Sequence, residues 1–193
     1  MKYRTILVFG SPGAGKGTQG RVLGTLPHFF HCACGDVFRS LKKESSLGKV
    51  FLEYSSQGKL VPDEPTVQLW HDFIESSARA GRFRPADDTL ILDGIPRNVH
   101  QAALLRGSLH PIALFDLRCA DPEVLVNRLR KRALKENRLD DVDVNVIRNR
   151  LEVYDRESRP VVDFYDSRIV HEIEASQAPA KVLFDILAHI VKI

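Results

Sequence analysis

Apolar residues in this chain fall into two patterns. Unbroken runs bounded by turn residues recur at 5–9, 29–34, 89–92, 111–117 and 169–173, and these are the candidate strands. Longer amphipathic stretches lie between them. From Pro122 to Leu134 apolar residues recur at helical spacing, with Asp121 placed as the cap, and 144–154 and 180–191 repeat the pattern. Residues 37–86 also read as helical for most of their length. Strands alternating with helices predict an α/β fold with a parallel sheet and helices on both faces, and ligands gather at the carboxyl ends of such strands. No repeat, low-complexity stretch or linker divides the chain, so one domain is expected over 1–193.

The first apolar run leads directly into Gly10-Ser11-Pro12-Gly13-Ala14-Gly15-Lys16-Gly17-Thr18-Gln19. A loop that wraps polyphosphate must bring backbone N–H groups close to anionic oxygens, and side chains obstruct that approach. Gly10, Gly13, Gly15 and Gly17 are therefore the chemistry of this turn. Lys16 adds a charge that reaches the outer phosphates, and a helix starting near Gly17 aims its positive end at the same place. Thr18 offers a hydroxyl to a magnesium ion. The usual loop ends Gly-Lys followed by Ser or Thr, whereas here Gly17 intervenes. A dinucleotide fingerprint, G-x-G-x-x-G, also fits residues 15–20. It fits poorly, because the tight turn after the strand is already made by residues 10–13, and the ribose-binding acid would have to be Asp36.

Composition narrows the picture by exclusion. With 44% hydrophobic and 27% charged residues the chain is ordinary for a globular protein. No apolar run approaches a membrane span, and the N-terminus enters a strand instead of a signal peptide, so a cytoplasmic protein with no membrane partner is expected. Cys32, Cys34 and Cys119 form no C-x-x-C pair, which points away from a disulfide framework and from structural zinc. The net charge of +3 comes from arginines scattered among acidic neighbours, so no nucleic-acid partner is expected. Forked arginine contacts suit small polyanions equally well.

A second strand, 90–92, delivers Asp93 at its carboxyl end, the carboxylate that a magnesium site beside a phosphate loop requires. Arg97 follows, and Gln101 four residues later carries both a donor and an acceptor. Asp36, in Cys34-Gly35-Asp36-Val37-Phe38-Arg39, reads as a helix N-cap, while Arg39 one turn on can project toward the strand ends as a phosphate ligand. Gly58-Lys59-Leu60-Val61-Pro62-Asp63-Glu64 reads, by turn chemistry alone, as an entry to a helix beginning near Pro65. A third cluster holds Arg128, Arg130, Lys131 and Arg132, then Arg138, Asp140 and Asp141, then Arg148 and Arg150. Converging arginines lower the barrier to phosphoryl transfer by stabilising charge that builds on the phosphate oxygens. Arg130 and Lys131 read as solvated helix residues.

These strings resemble the adenylate kinases and related nucleoside monophosphate kinases. Gly10, Pro12, Gly13, Gly15, Lys16, Gly17, Thr18 and Gln19 match their G-x-P-G-x-G-K-G-T-Q loop, 34–39 their T-G-D-x-x-R, 58–64 their G-x-L-V-P-D-E, and 93–97 their D-G-F-P-R with Ile95 in place of phenylalanine. The resemblance implies a P-loop NTPase-like fold with a nucleotide-binding lobe over about 33–86 and a short lid over about 131–142. It also implies a monomer. The implied activity is magnesium-dependent phosphoryl transfer from ATP to AMP, giving two ADP. Catalytic charge would come from Lys16, Arg97, Arg132, Arg138 and Arg150. ATP would be held by Gly13, Ala14, Gly15, Lys16, Gly17, Thr18, Arg128, Arg132 and Gln177. AMP would lie against Cys34, Arg39, Lys59, Leu60, Val61, Gly94, Arg97, Gln101, Arg138 and Arg150, and Mg2+ against Thr18 and Asp93.

Two alternatives stay open at this level. Cys34 replaces the threonine of adenylate kinases and the alanine of uridylate and cytidylate kinases, and Asn98 matches the pyrimidine enzymes, whereas Gln101 matches the adenylate pattern. Spacing also allows Arg148 to exchange roles with Arg150. A different class, an ATP-dependent switch or nucleic-acid-associated P-loop protein, should lack the second anion site that Arg39, Arg97 and Gln101 supply.

Overall fold

The computed structural model of the chain describes all residues except Met1, Asn137, Leu139 and Asp140. Five parallel strands, β1 (Tyr3–Gly10), β2 (Phe29–Ala33), β3 (Thr89–Asp93), β4 (Leu109–Arg118) and β5 (Val170–Glu174), form one sheet in the order β2-β3-β1-β4-β5. The inner strand β3 is buried along its whole length and β1 and β4 over most of theirs, because both faces are covered there, whereas the edge strand β5 carries His171, Glu172 and Glu174 and buries only Ile173. Ile6 and Val8 of β1 point into one cluster with Ile91, Phe115 and Leu117. Leu7 and Phe9 point the other way, to Leu90, Leu92 and Leu114. Four strands run a residue or two beyond their apolar stretches, taking in Tyr3, Asp93, Arg118 and Glu174, because ladder bonds are made by backbone whatever the side chain; β2 instead stops at Ala33, one residue short of its expected end, since Cys34 begins a helix.

Helices α1 (Lys16–Leu23), α2 (Cys34–Arg39), α3 (Ser46–Ser56), α4 (Asp63–Arg79), α5 (Val99–Leu105), α6 (Pro122–Glu136), α7 (Val144–Val153) and α8 (Pro179–Ile190) connect and cover the strands. Two expected boundaries move. Asp36 is not an N-cap: β2 runs straight into α2, Ala33 occupies the cap, and Asp36 lies inside the first turn. Helix α4 starts at Asp63, and the Thr66 hydroxyl donates to the Pro62 carbonyl at 2.8 Å. Pro65 therefore sits in the first turn, where its missing N–H costs nothing.

The helical stretch expected to form a lobe divides into two parts. Val67, Trp70 and Ile74 of α4 are buried in the same cluster as Leu7 and Leu92, and large apolar side chains buried in this way contribute about 1.5–3 kcal/mol each. Helix α3 buries only Gly48 fully and is held through Phe51, which stacks on Phe38 of α2 at 5.1 Å. The anchored part, α4, thus belongs to the core, while α3 hangs over the crevice at the strand ends.

The register puts the site chemistry together. Asp93 lies opposite Val8 of β1 and Ala33 of β2, so the phosphate loop, Cys34 and the Asp93 carboxylate leave the sheet at one level. Beside them is a cavity of about 550 Å³.

Candidate active site

Strand β1 ends in a loop whose backbone passes through the left-handed region at Gly13 (φ 87°) and Gly15 (φ 103°), conformations that strain any residue with a Cβ. A Cβ placed on Gly15 would meet nothing within 4 Å. Gly15 also caps α1 without a side chain, so the first N–H groups of that helix face open space, as an anion site needs. Lys16 turns back along the loop and donates to the carbonyls of Gly10 (2.6 Å) and Ser11 (3.2 Å). Burial pulls its pKa down to about 8; Asp93 opposes that shift, and the charges of Arg97, Arg132 and Arg150 add to it. Gln19 is buried and donates to the Pro179 carbonyl at 3.0 Å, tying α1 to α8.

Asp93 is nearly buried at the end of β3. A Cβ on Gly17 would stand 3.4 Å from its Oδ2, ordinary contact distance, so this carboxylate lies directly against the loop beside Thr18. A carboxylate and a hydroxyl, hard oxygen donors next to a phosphate cradle, fit Mg2+, which takes most of its ligands from water and phosphate. Among the described residues no group of three or more His, Cys, Asp and Glu could hold a metal ion by itself.

Across the cavity, Gly94 (φ 80°) and Gly35 make room for two guanidinium groups. A Cβ on Gly94 would lie 3.4 Å from Arg97 Nη2, and one on Gly35 would lie 3.1 Å from Arg39 Nη2. Arg97 is fastened along its whole length. Its Nε donates to the Gly94 carbonyl (2.8 Å), its backbone N–H to Gln101 Oε1 (2.8 Å), and its carbonyl accepts from the Ser158 hydroxyl (2.6 Å). Depth in the molecule lowers its pKa from the ordinary arginine value, and Arg150 and Arg39 add like charge, while Cys34 and Asp93 oppose them; a guanidinium remains charged there. Burial pushes the Cys34 thiol up to about 11, so it is protonated. Both ends of the Gln101 amide are engaged, the oxygen by Arg97 and the nitrogen by Asp63 at 2.8 Å.

The arginine cluster is organised by two carboxylates. Asp141 is wholly buried; one oxygen accepts from Arg132 Nε at 2.6 Å and the other pairs with Arg150 Nη1. Arg132 Nη2 is buried and has no hydrogen-bond partner among the described residues. Asp36 pairs with Arg39 and lies 3.7 Å from Arg138, joining α2 to the stretch that follows α6. Burial raises the Asp36 pKa, but hydrogen bonding and charge from Arg39, with Arg138 and Arg21, outweigh it and leave it low. Arg148 points away, 3.9 Å from Glu123 and largely exposed, so it is Arg150 that faces the cavity. Asp140 lies outside the described residues. Near the C-terminal end of β5, Arg128 donates to the carbonyls of Ala175 (2.7 Å) and Ser176 (3.2 Å), and Gln177 turns its amide to Asp185 at 2.6 Å.

Every residue proposed from the sequence as a ligand of ATP, AMP or Mg2+ stands on the wall of this one cavity. So does Lys131, read from the sequence as solvated, together with Lys135 and Arg21. Sequence reasoning missed Ser158, Asp36 as a pairing residue, and Asp63. Ser158 lies in a short π-helical segment, Tyr154–Ser158, that follows α7, and nothing in its local pattern marks it. Gly58 was read as a turn; its backbone (φ 69°) also lets α7 close in, since a Cβ there would stand 2.9 Å from Arg150 Cγ, and Asn149 Nδ2 donates to the neighbouring Gln57 carbonyl at 2.6 Å.

The fold and cavity define a P-loop kinase-like protein whose cavity has the glycine-rich loop on one wall and the guanidinium groups of Arg39 and Arg97 on the other. The adenylate kinase family model matches residues 8–170, and the chain belongs to that family. It is 38% identical over 180 residues to the adenylate kinase of Thermobifida fusca, covering 89% of each chain. It is 36% identical over 166 residues to that of Flavobacterium psychrophilum, covering 83% of each. It is 39% identical over 166 residues to that of a Cyanothece species, covering 83% of this chain and 80% of the relative. As a member it is a nucleotide-binding transferase of the P-loop type. Among the described residues no helix is long and apolar enough to cross a membrane.

Proposed function

We propose that the protein transfers the γ-phosphoryl group of ATP to AMP, giving two ADP. One observation carries this reading: a single cavity has the phosphate loop on one wall and the fastened guanidinium of Arg97, with Arg39 and Gln101, on the other. A switch needs the first wall only. The phosphate loop from Gly13 to Thr18, with Arg128 and the backbone near Gln177, binds the donor. Arg39 and Arg97 grip the acceptor phosphate, and Cys34, Lys59 to Val61, Gly94 and Gln101 surround its nucleoside. An oxygen of that phosphate attacks Pγ as the bond from Pγ to the β,γ-bridging oxygen breaks, so no protein nucleophile is required. Lys16, Arg132, Arg138 and Arg150 stabilise the charge that spreads over the transferring group. Thr18 and Asp93 would hold Mg2+, which supplies charge neutralisation between the donor phosphates. Closure of α3 and the segment around 131–142 excludes water, the competing acceptor. In this reading the protein is a cytoplasmic monomer that needs neither nucleic acid nor membrane.

A coupled assay of diphosphate formation with AMP, UMP, CMP and GMP tests the reading. AMP is expected to give the highest kcat/KM, and turnover of UMP or CMP far above AMP would overturn it. Titration of AMP without ATP separates a kinase from a switch, since the kinase binds AMP at millimolar concentration or below.

The low Lys16 pKa gives a further expectation. Below about pH 8 the ammonium is already charged; above it the empty loop holds a neutral amine, and an arriving polyphosphate favours the charged form and raises the pKa. ATP binding near pH 9 should therefore take up most of one proton, and near pH 6.5 almost none. Calorimetry in two buffers of different ionisation enthalpy reads this directly. Uptake at about pH 9 that persists in Lys16→Met would assign the proton elsewhere.

A further inference from the structure

Asp63, the first residue of α4, stands behind the acceptor wall, in a separate recess that it shares with Asn98, Tyr54 and Arg156. Its Oδ1 accepts from Asn98 Nδ2 and from Gln101 Nε2, each at 2.8 Å, and its Oδ2 meets His100 Nδ1 at 2.8 Å. Partial burial raises its pKa, and these three hydrogen bonds more than reverse that. A carboxylate so held can only accept.

At the other end of the same amide the donor is a backbone N–H, that of Arg97, which can only donate. Gln101 is 1% exposed and lines the substrate cavity. Rotating its amide by half a turn would put N–H against N–H and carbonyl oxygen against carboxylate, leaving buried polar groups unpaired on both sides. The two partners therefore select one orientation. Each amide end keeps unused capacity, since the nitrogen has a second N–H and the oxygen a second lone pair.

We propose that Asp63 is a positioning residue that locks the Gln101 amide in one orientation and so makes the acceptor site select a 6-aminopurine over a 6-oxopurine. The proposal rests on the reading that Gln101 faces the acceptor base. Adenine presents a donor at N6 beside an acceptor at N1; hypoxanthine presents an acceptor at O6 beside a donor at N1. A freely turning amide serves either edge by flipping, whereas a locked one serves one. A site whose buried polar groups are left unpaired by the wrong ligand discriminates strongly.

The test compares kcat/KM for AMP and IMP in the parent and in Asp63→Ala, Asp63→Leu, Asp63→Asn, Gln101→Ala and Asp63→Ala/Gln101→Ala, with ATP binding and melting as checks of folding. Asp63→Ala, and Asp63→Leu, which keeps the bulk, leave the Arg97 N–H as the one remaining partner that selects an orientation, and are expected to lower the preference for AMP over IMP by about three- to tenfold, mainly through KM. Asp63→Asn keeps an acceptor oxygen for Gln101 and should retain most of the preference. In the Gln101→Ala background, loss of Asp63 should change the preference no further. A preference unchanged by Asp63→Ala and Asp63→Leu but lost in Gln101→Ala overturns the lock and leaves Gln101 as base reader. A preference that survives Gln101→Ala removes Gln101 from the base, and the lock with it. An equal fall with both acceptors makes Asp63 a structural residue only.

Discussion

Arg97→Ala is expected to lower kcat/KM by about 10²–10⁴, with the fold intact. In the proposed function the guanidinium makes two charge-assisted hydrogen bonds to the acceptor phosphate, worth about 1.5–3 kcal/mol each, and roughly 1.4 kcal/mol corresponds to tenfold in rate. The side chain contributes little to folding. Its backbone is held independently, the N–H by Gln101 and the carbonyl by Ser158, and removal of a cation crowded by Arg150 and Arg39 relieves repulsion. Melting temperature and ATP affinity should move little. Arg97→Lys should recover only a small part of the rate, because a point charge does not reproduce the planar fork. Near-normal turnover of Arg97→Ala would remove this residue from the site.

The second large effect is expected at Asp141, and there stability and activity should fall together. Asp141→Ala leaves Arg132 and Arg150 without the carboxylate between them, at a wholly buried position. Breaking a buried ion pair by removing one partner typically costs about 3–5 kcal/mol. Since Arg132 and Arg150 keep 26% and 18% of their side-chain surface exposed, water solvates part of the charge that Asp141 balances, so the lower end of that range applies. In the proposed mechanism both arginines act on the transferring phosphoryl group, and without the carboxylate that orients them kcat is expected to drop by about 10²-fold or more. Asp141→Asn, which preserves shape and one acceptor, should lie between. Urea unfolding and single-turnover rates measure the two effects separately. A variant with parental stability and kcat would show that Asp141 holds nothing in place.

How much of this was legible in the sequence depended on the range of the interactions involved. The strands were readable because a sheet covered on both faces needs unbroken apolar runs, and residues 5–9 and 89–92 show them. The phosphate loop was readable because backbone approach to phosphate requires glycine, a constraint written into successive residues. Asp36 misled: an acid just after a strand suits an N-cap, but β2 passes into α2 early enough to place it within the first turn, where it pairs with arginines instead. The choice between Arg148 and Arg150 was unreadable, since both lie on one helix and only the packing of α7 against the lobe decides which one faces the cavity.

Asp63 shows the same limit more sharply. In the chain it is one residue of a Pro-Asp-Glu turn, and its contacts lie 35 to 38 residues away. By itself the sequence determined the fold class, the phosphate cradle and the inventory of arginines, because each is set by local periodicity or by consecutive residues. Only the tertiary structure decided which carboxylate aligns which arginine and which way the Gln101 amide faces. Those are pairings between distant segments, and hydrogen-bond direction has no trace in residue spacing.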